Sequence, residues 1–354
     1  MGSGGISFYA HCLIIILFGI GFSSVSLVVM AAAAAAAASS APIDTSTAIL
    51  ISVDPSGNGD FKKIQDAIDA VPSNNSEFVF IRIKPGTYRE KIVVPANKPY
   101  VTLSGTKASE TIITWSDGGD ISDSPTLTVF ASDFVGQFLT IQNSFGTTER
   151  AVALRVSGDR AAFYGCRILS YQDSLLDETG NHYYKDCYIE GATDFICGDA
   201  ASLYESCHLH SLSTQNGAIT AQHRSSPSEN TGFTFSGCNI TGVGHAFLGR
   251  PWGPYSRVIF AQTYMSSVIA PQGWDDWQDP KRQSTVYYGE YKCYGPGADT
   301  SKRVQWSQSL SEDEAAPFLT KRMIGGTTWL RAAPTHFKRF TGSVTSVMKA
   351  DEND

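Results

Sequence analysis

No lysine or arginine occurs before Lys62, and no acidic residue before Asp44. A secretory leader ordinarily opens with a basic segment, and that is missing here. The stretch still has a leader's other parts. Residues 12–21 and 23–30 are apolar, residues 31–38 are uninterrupted alanine, and Ser-Ser-Ala follows, so residues 1–41 are expected to be a signal peptide cleaved near its small-residue exit. Residues 12–38 would also span a bilayer core of about 30 Å, which makes an uncleaved anchor the alternative. Positive charge is scarce elsewhere too. With 27 Lys and Arg against 34 Asp and Glu the net charge is -7, all of it beyond residue 41, which argues against nucleic acid as a partner. No Cys-x-x-Cys is present, which excludes zinc sites of that type. His208 and His210 lie two apart but have no evident third ligand, so neither a metal nor an organic cofactor is expected.

What the chain has is a repeat. Cys166, Cys187, Cys207 and Cys238 each follow an aromatic residue by three positions and precede an Ile or Leu by two. The intervals are 21, 20 and 31 residues. Each unit is a short aromatic and β-branched run, too brief to bury its own apolar face, so the units are expected to stack as a solenoid of strands. Seven cysteines include Cys12, which leaves six, an even number that invites disulfides in an exported chain. Cys207 and Cys238 would be the first pair to consider, although a stacked buried thiol serves equally well as a small hydrophobe.

The fold class is therefore all-β, with short helices at the ends. With 42% apolar and 17% charged residues and no linker, residues 42–336 read as one domain. Apolar residues at helical spacing from Phe61 to Val71 predict an amphipathic helix covering the solenoid's first edge. Ser311-Glu-Asp-Glu314 predicts a second, capped helix. Residues 337–354 have weak periodicity and are expected to be loosely ordered. The sequons at Asn74 and Asn239 could carry glycans on an exported chain, Asn239 being the less accessible because it follows a repeat cysteine.

Residues at the same offset on adjacent coils lie about 4.8 Å apart. Asp173 is seven residues after Cys166, and Asp194 is seven after Cys187, so the repeat stacks two carboxylates. Strand alternation would turn Gln172 and Asp173 to opposite faces, so a local break is expected there. Like charges at this spacing cannot easily both ionise, which splits the pair into a charged group and a protonated one. Such a pair can supply a nucleophile and an acid that later serves as base. Gln172 offers a nearby amide. In Leu248-Gly-Arg-Pro-Trp-Gly253, Arg250 could hold one aspartate ionised, and Trp252 offers a face for a sugar ring.

Five motifs, in order, resemble the plant pectinesterases, also called pectin methylesterases. They are Gly86-Thr-Tyr-Arg-Glu90, Tyr171-Gln-Asp-Ser-Leu175, Asp194-Phe-Ile-Cys-Gly198, Leu248-Gly-Arg-Pro-Trp252 and Tyr291-Lys-Cys-Tyr-Gly-Pro-Gly-Ala298. The resemblance runs from about residue 50 to 336. It implies a right-handed parallel β-helix, a monomer secreted to the cell wall, that hydrolyses methyl esters of galacturonate units in pectin. It also implies Asp194 as nucleophile, Asp173 as proton donor and acceptor, Gln172 as oxyanion-stabilising amide, and Arg250, Trp252 and Thr126 as substrate-binding residues. A proteinaceous inhibitor is an implied partner. No membrane association is expected after the leader is removed.

The chain departs from the family at Arg150, where the family commonly has Gln in Gln-Ala-Val-Ala-Leu. A substrate-binding amide is thereby replaced by a longer cation, which motivates the reading of a silent wall-binding homologue. A retaining glycosidase also holds carboxyl groups about 5 Å apart and would be told from an esterase by its products. Cys197 stands for the usual Phe and Ser174 for the usual Thr.

Overall fold

The computed structural model describes residues 45–341. Their strands pair in parallel and form three sheets of twelve, seven and eight strands. One coil gives one strand to each sheet, as in Asn181–Lys185, Tyr188–Gly191 and Ile196–Gly198. The repeat positions stack as their spacing predicts: Phe163 pairs with Tyr184, Ile168 with Ile189, and Leu175 with Ile196. The chain is thus a parallel β-helix.

The aromatic residue of each repeat points inward and stacks on the next. Ring centroids are 5.2 Å apart for Phe163 and Tyr184, 4.6 Å for Tyr184 and Tyr204, and 4.5 Å for both Tyr204 with Phe235 and Phe235 with Phe260. Each pair adds about 0.5–1.5 kcal/mol beyond the area it buries. The repeat cysteines form a second ladder. The thiols of Cys187, Cys207 and Cys238 donate to the carbonyls of Phe163, Tyr184 and Tyr204, one coil back, at 3.4–3.5 Å. Of the two readings left open, the buried free thiol is the one found at Cys207 and Cys238. In-register parallel strands hold side chains about 4.8 Å apart, wider than the Cβ separation near 3.8 Å that a disulfide needs.

The ends are covered differently from the sequence expectation. The first helix is only Ile64–Asp69, with Ile64, Ala67 and Ile68 buried, and Glu90 accepts from the amides of Ile64 and Gln65 at its start. The tail expected to be loose from residue 337 begins with a strand, His336–Arg339, which pairs with Thr47–Val53. An unpaired first strand is a ready template, and these residues complete it. Residues 342–354, and the leader expected at 1–41, lie outside the described residues. The Ser311 capping box forms as expected on Glu312–Ala315. Asn239 is exposed, as Asn74 is, because alternation turns it outward from a strand whose next residue, Ile240, is buried.

At the end of the strand Leu175–Asp177, Asp177 is wholly buried. It accepts hydrogen bonds from the hydroxyls of Tyr184, Tyr204 and Ser202, at 2.8, 2.7 and 2.5 Å. His182 Nδ1 lies 2.5 Å from it, and Nε2 meets the Gly158 carbonyl, which can only accept. Burial pushes the Asp177 carboxyl up, but the His182 charge and these hydrogen bonds outweigh burial and hold it below its ordinary value.

Candidate active site

The expected site lies on the seven-stranded sheet, its two aspartates in the turns just before two of the strands and Arg250 within a third. Asp173 and Asp194 each precede a strand by two residues, before Leu175–Asp177 and Ile196–Gly198. Gln172 bridges Thr193, and Leu175 pairs with Ile196, so the two aspartates are in register on neighbouring coils. The expected break is present. Asp173 and Asp194 both adopt left-handed backbone, at φ 60° and 49°. Asp tolerates this region better than most residues, and the turn frees both side chains from strict alternation. The Asp173 amide is held by the Thr193 carbonyl and the Asp194 amide by the Ala218 carbonyl, so the break is anchored on both coils.

The two carboxyls have unlike surroundings although both are buried, at 7% and 5% exposure. Asp194 lies in a fork with Arg250, Nε to Oδ1 at 2.8 Å and Nη2 to Oδ2 at 2.5 Å. Burial raises its carboxyl, and Arg250 offsets only part of this by hydrogen bonding and charge, so it stays above its ordinary value. Burial likewise disfavours the Arg250 cation, but Asp194 more than offsets this, and the guanidinium is raised. Asp173 has no hydrogen-bond partner for its carboxyl among the described residues. Burial first, and the Asp194 charge second, push it up to about 7, against opposing charges from Arg150 and Arg250. The arrangement thus sets one carboxyl against a cation and leaves the other to exchange its proton near neutral pH. The Gln172 amide, half-buried between coils, has no partner among the described residues and is free to meet a ligand.

The remaining expected residues divide. Trp252 is partly buried, its ring packed at 4.5 Å against His223 and on the apolar patch of Val152, Leu176, Cys197 and Ala221. Cys197 thus serves as floor in the position of the family's Phe. Arg150 sits on the preceding coil and is exposed; its charge reaches Asp173 without forming an ion pair. Thr126 is fully buried, and its hydroxyl donates to the Gln142 carbonyl at 3.0 Å. His208 and His210 do not converge on a metal position. Both rings bond Thr241 Oγ1 at 2.7 Å, and no metal-binding cluster exists among the described residues.

One contributor escaped the sequence reading. Trp277 lies flat against Arg250, with the guanidinium carbon 3.8 Å from the ring centroid. Trp274 bridges Gly249, which brings this loop beside the strand bearing Arg250, and Asp275 there adds a charge that raises Asp194. The signal was Trp274-Asp-Asp-Trp277, one coil beyond Arg250, but nothing in its spacing says which ring faces the cation.

Comparison with known proteins agrees with this architecture. A family model described as Pectinesterase matches residues 50–327. The chain is 67% identical over 298 residues to an Arabidopsis thaliana protein named "Putative pectinesterase 11", covering 84% of this chain and 85% of that one. It is 44% identical over 304 residues to Pectinesterase QRT1 of the same plant, covering 81% and 80%. Among solved structures, pectin methylesterase from carrot superposes with a TM-score of 0.77 at 36% identity, over 79% of this chain and 94% of that one. A pectin methylesterase in complex with a hexasaccharide superposes with a TM-score of 0.67 at 27% identity, over 78% and 96%. This chain belongs to the pectinesterase family.

Proposed function

We propose that this chain removes methyl esters from galacturonate units of pectin, releasing methanol, in the plant cell wall. The observation that carries the reading is the pair Asp173 and Asp194, in register yet electrostatically unlike. Asp194, kept ionised by Arg250, attacks the C6 carbonyl carbon. The Gln172 amide donates to the tetrahedral oxyanion. Asp173 delivers its proton to the departing methoxy oxygen, leaving an acyl group on Asp194 and a carboxylate on Asp173. That carboxylate then takes a proton from water as the water attacks the acyl carbon. Bond cleavage frees the Asp194 carboxylate and a galacturonate carboxyl, and Asp173 is again protonated. Trp252 offers the sugar an apolar face.

The test is methanol release from highly methylated pectin by the purified protein. Asp194→Ala and Asp173→Ala are each expected to abolish it while keeping the wild-type fold by circular dichroism. New reducing ends without methanol would instead indicate glycosidase chemistry, and turnover in either variant would remove that residue from its role.

A further inference from the structure

A concavity lined by none of the expected site residues lies beside the strand Arg257–Ala261. Its volume is about 460 Å³, within the range of ligand pockets, and its lining includes Arg224, Arg257, Tyr255, Tyr287, Gln308 and Phe318. The lining contains two cations and no carboxylate. The cations differ in what they do. Arg224 is committed to structure, donating to the carbonyls of Glu229, Tyr255 and Pro227 at 2.9, 3.3 and 2.5 Å. Arg257 spends only its backbone amide, on Gln222 Oε1, and its guanidinium has no hydrogen bond or ion pair among the described residues. Its side chain runs against Gly232, where a Cβ would come within 2.7 Å of Nε, and its guanidinium carbon sits 5.7 Å from the Phe318 ring centroid.

The acids nearby are occupied. Glu229 holds the Ser225 amide and hydroxyl, and Glu314 holds the amide and hydroxyl of Ser311. Burial, and then the like charge of Arg224, bring the Arg257 guanidinium down to about 10, the signature of a cation lacking its counterion. Aromatic faces beside hydroxyl and amide groups suit a sugar ring, and an unpaired guanidinium suits a planar carboxylate.

We propose that this pocket is a binding site for a uronic-acid residue of an acidic polysaccharide, with the free carboxylate on Arg257 and the sugar ring against its aromatic lining. The choice of uronate among anions rests on the esterase reading, whose product carries such carboxylates. A fully methylated chain offers this pocket nothing at first. A partly demethylated chain offers it a handle.

The experiment is calorimetric titration of the purified protein with tri-α-galacturonate at low salt, alongside inorganic phosphate at equal ionic strength. Arg257→Gln is expected to weaken trigalacturonate binding about tenfold, and Arg257→Lys to recover part of it. Ser284→Glu adds a charge on the exposed rim while leaving Arg257 in place, and is expected to weaken binding similarly. Initial methanol release from fully methylated pectin should be unchanged in both Arg257→Gln and Ser284→Glu, but lower than wild type on half-methylated pectin. Unchanged trigalacturonate binding in both variants overturns the proposal. Phosphate binding of equal strength, equally dependent on Arg257, overturns the assignment to uronate. Arg257-dependent trigalacturonate binding by a protein that releases no methanol would sustain the pocket and refute the esterase reading, so the two failures are distinct.

Discussion

Asp173 and Asp177 lie four residues apart on one coil and are both buried, yet their carboxyls move in opposite directions. Asp173 has no donor and rises to about 7; Asp177 has its hydroxyl donors and a histidine, and falls. Burial is thus common to both, and the donors decide. A buried carboxyl surrounded by donors is a fixed part of the scaffold, whereas one deprived of them holds a proton it can surrender. The stack provides both because Tyr184 and Tyr204 lie inside the coils and aim their hydroxyls at Asp177, while Asp173 lies at a corner where the backbone turns left-handed.

The largest expected effect tests the satisfied member. Asp177→Ala strands three hydroxyls and an imidazole in the core, and is expected to cost about 3–5 kcal/mol of stability. Thermal unfolding should show a drop of roughly 10 °C, with turnover of the folded protein within about threefold of wild type. An unchanged melting temperature would mean the network is dispensable and the contrast empty.

Gln172→Ala tests the proposed chemistry beside Asp173. Loss of the oxyanion donor should lower kcat by about 10²- to 10³-fold with little change in KM. Unchanged turnover would leave the oxyanion to another group.

Asp173→Asn sharpens the contrast by stability instead of rate. A folded-state pKa above the unfolded value of about 3.9 means that ionising Asp173 costs stability. The cost is absent below about pH 4, where both states are protonated, grows as pH rises, and is complete above about 7. The inactive variant should therefore exceed wild type by at least about 1 kcal/mol at pH 8, and the gap should close towards pH 4. A gap independent of pH would show that Asp173 is not raised.

The smallest effect concerns Arg150. Its cation opposes the rise of Asp173, so Arg150→Gln should raise that pKa further. The alkaline limb of kcat/KM, where Asp173 loses its proton, should move upward by roughly a few tenths of a pH unit, because an exposed charge is screened. Turnover above neutral pH should rise with it. An identical profile would show that the substitution is accommodated.

How much of this was legible in the sequence follows from where each feature is encoded. The coil register was, because each coil repeats an inward aromatic and a cysteine at fixed offsets, and stacking does the rest. The paired aspartates follow from the same register. Arg250 was legible as a motif, but the Trp277 ring beneath it depends on how one loop folds back on a neighbouring coil. Thr126 was recognised by its motif position, while its burial depends on the coils on either side of it. The pairing of His336–Arg339 with the first strand was hidden because all four residues are exposed and carry no core pattern.

The same register bears on what changes the site can survive. Asp173 and Asp194 are separated by the same 21 residues as Cys166 and Cys187, so the distance between the two carboxyls is a property of the coil and not of either side chain. The interval from Cys207 to Cys238 absorbs ten more residues than that, including the loop between Gln222 and Gly232, without breaking the stack. Such loops are where lineages can lengthen or shorten the chain freely. Between Cys166 and Asp194 a single inserted residue would slip one carboxyl out of line, whereas many substitutions there would leave the pair standing. Variation near the site is therefore expected as exchanged residues, and variation in length is expected downstream of it.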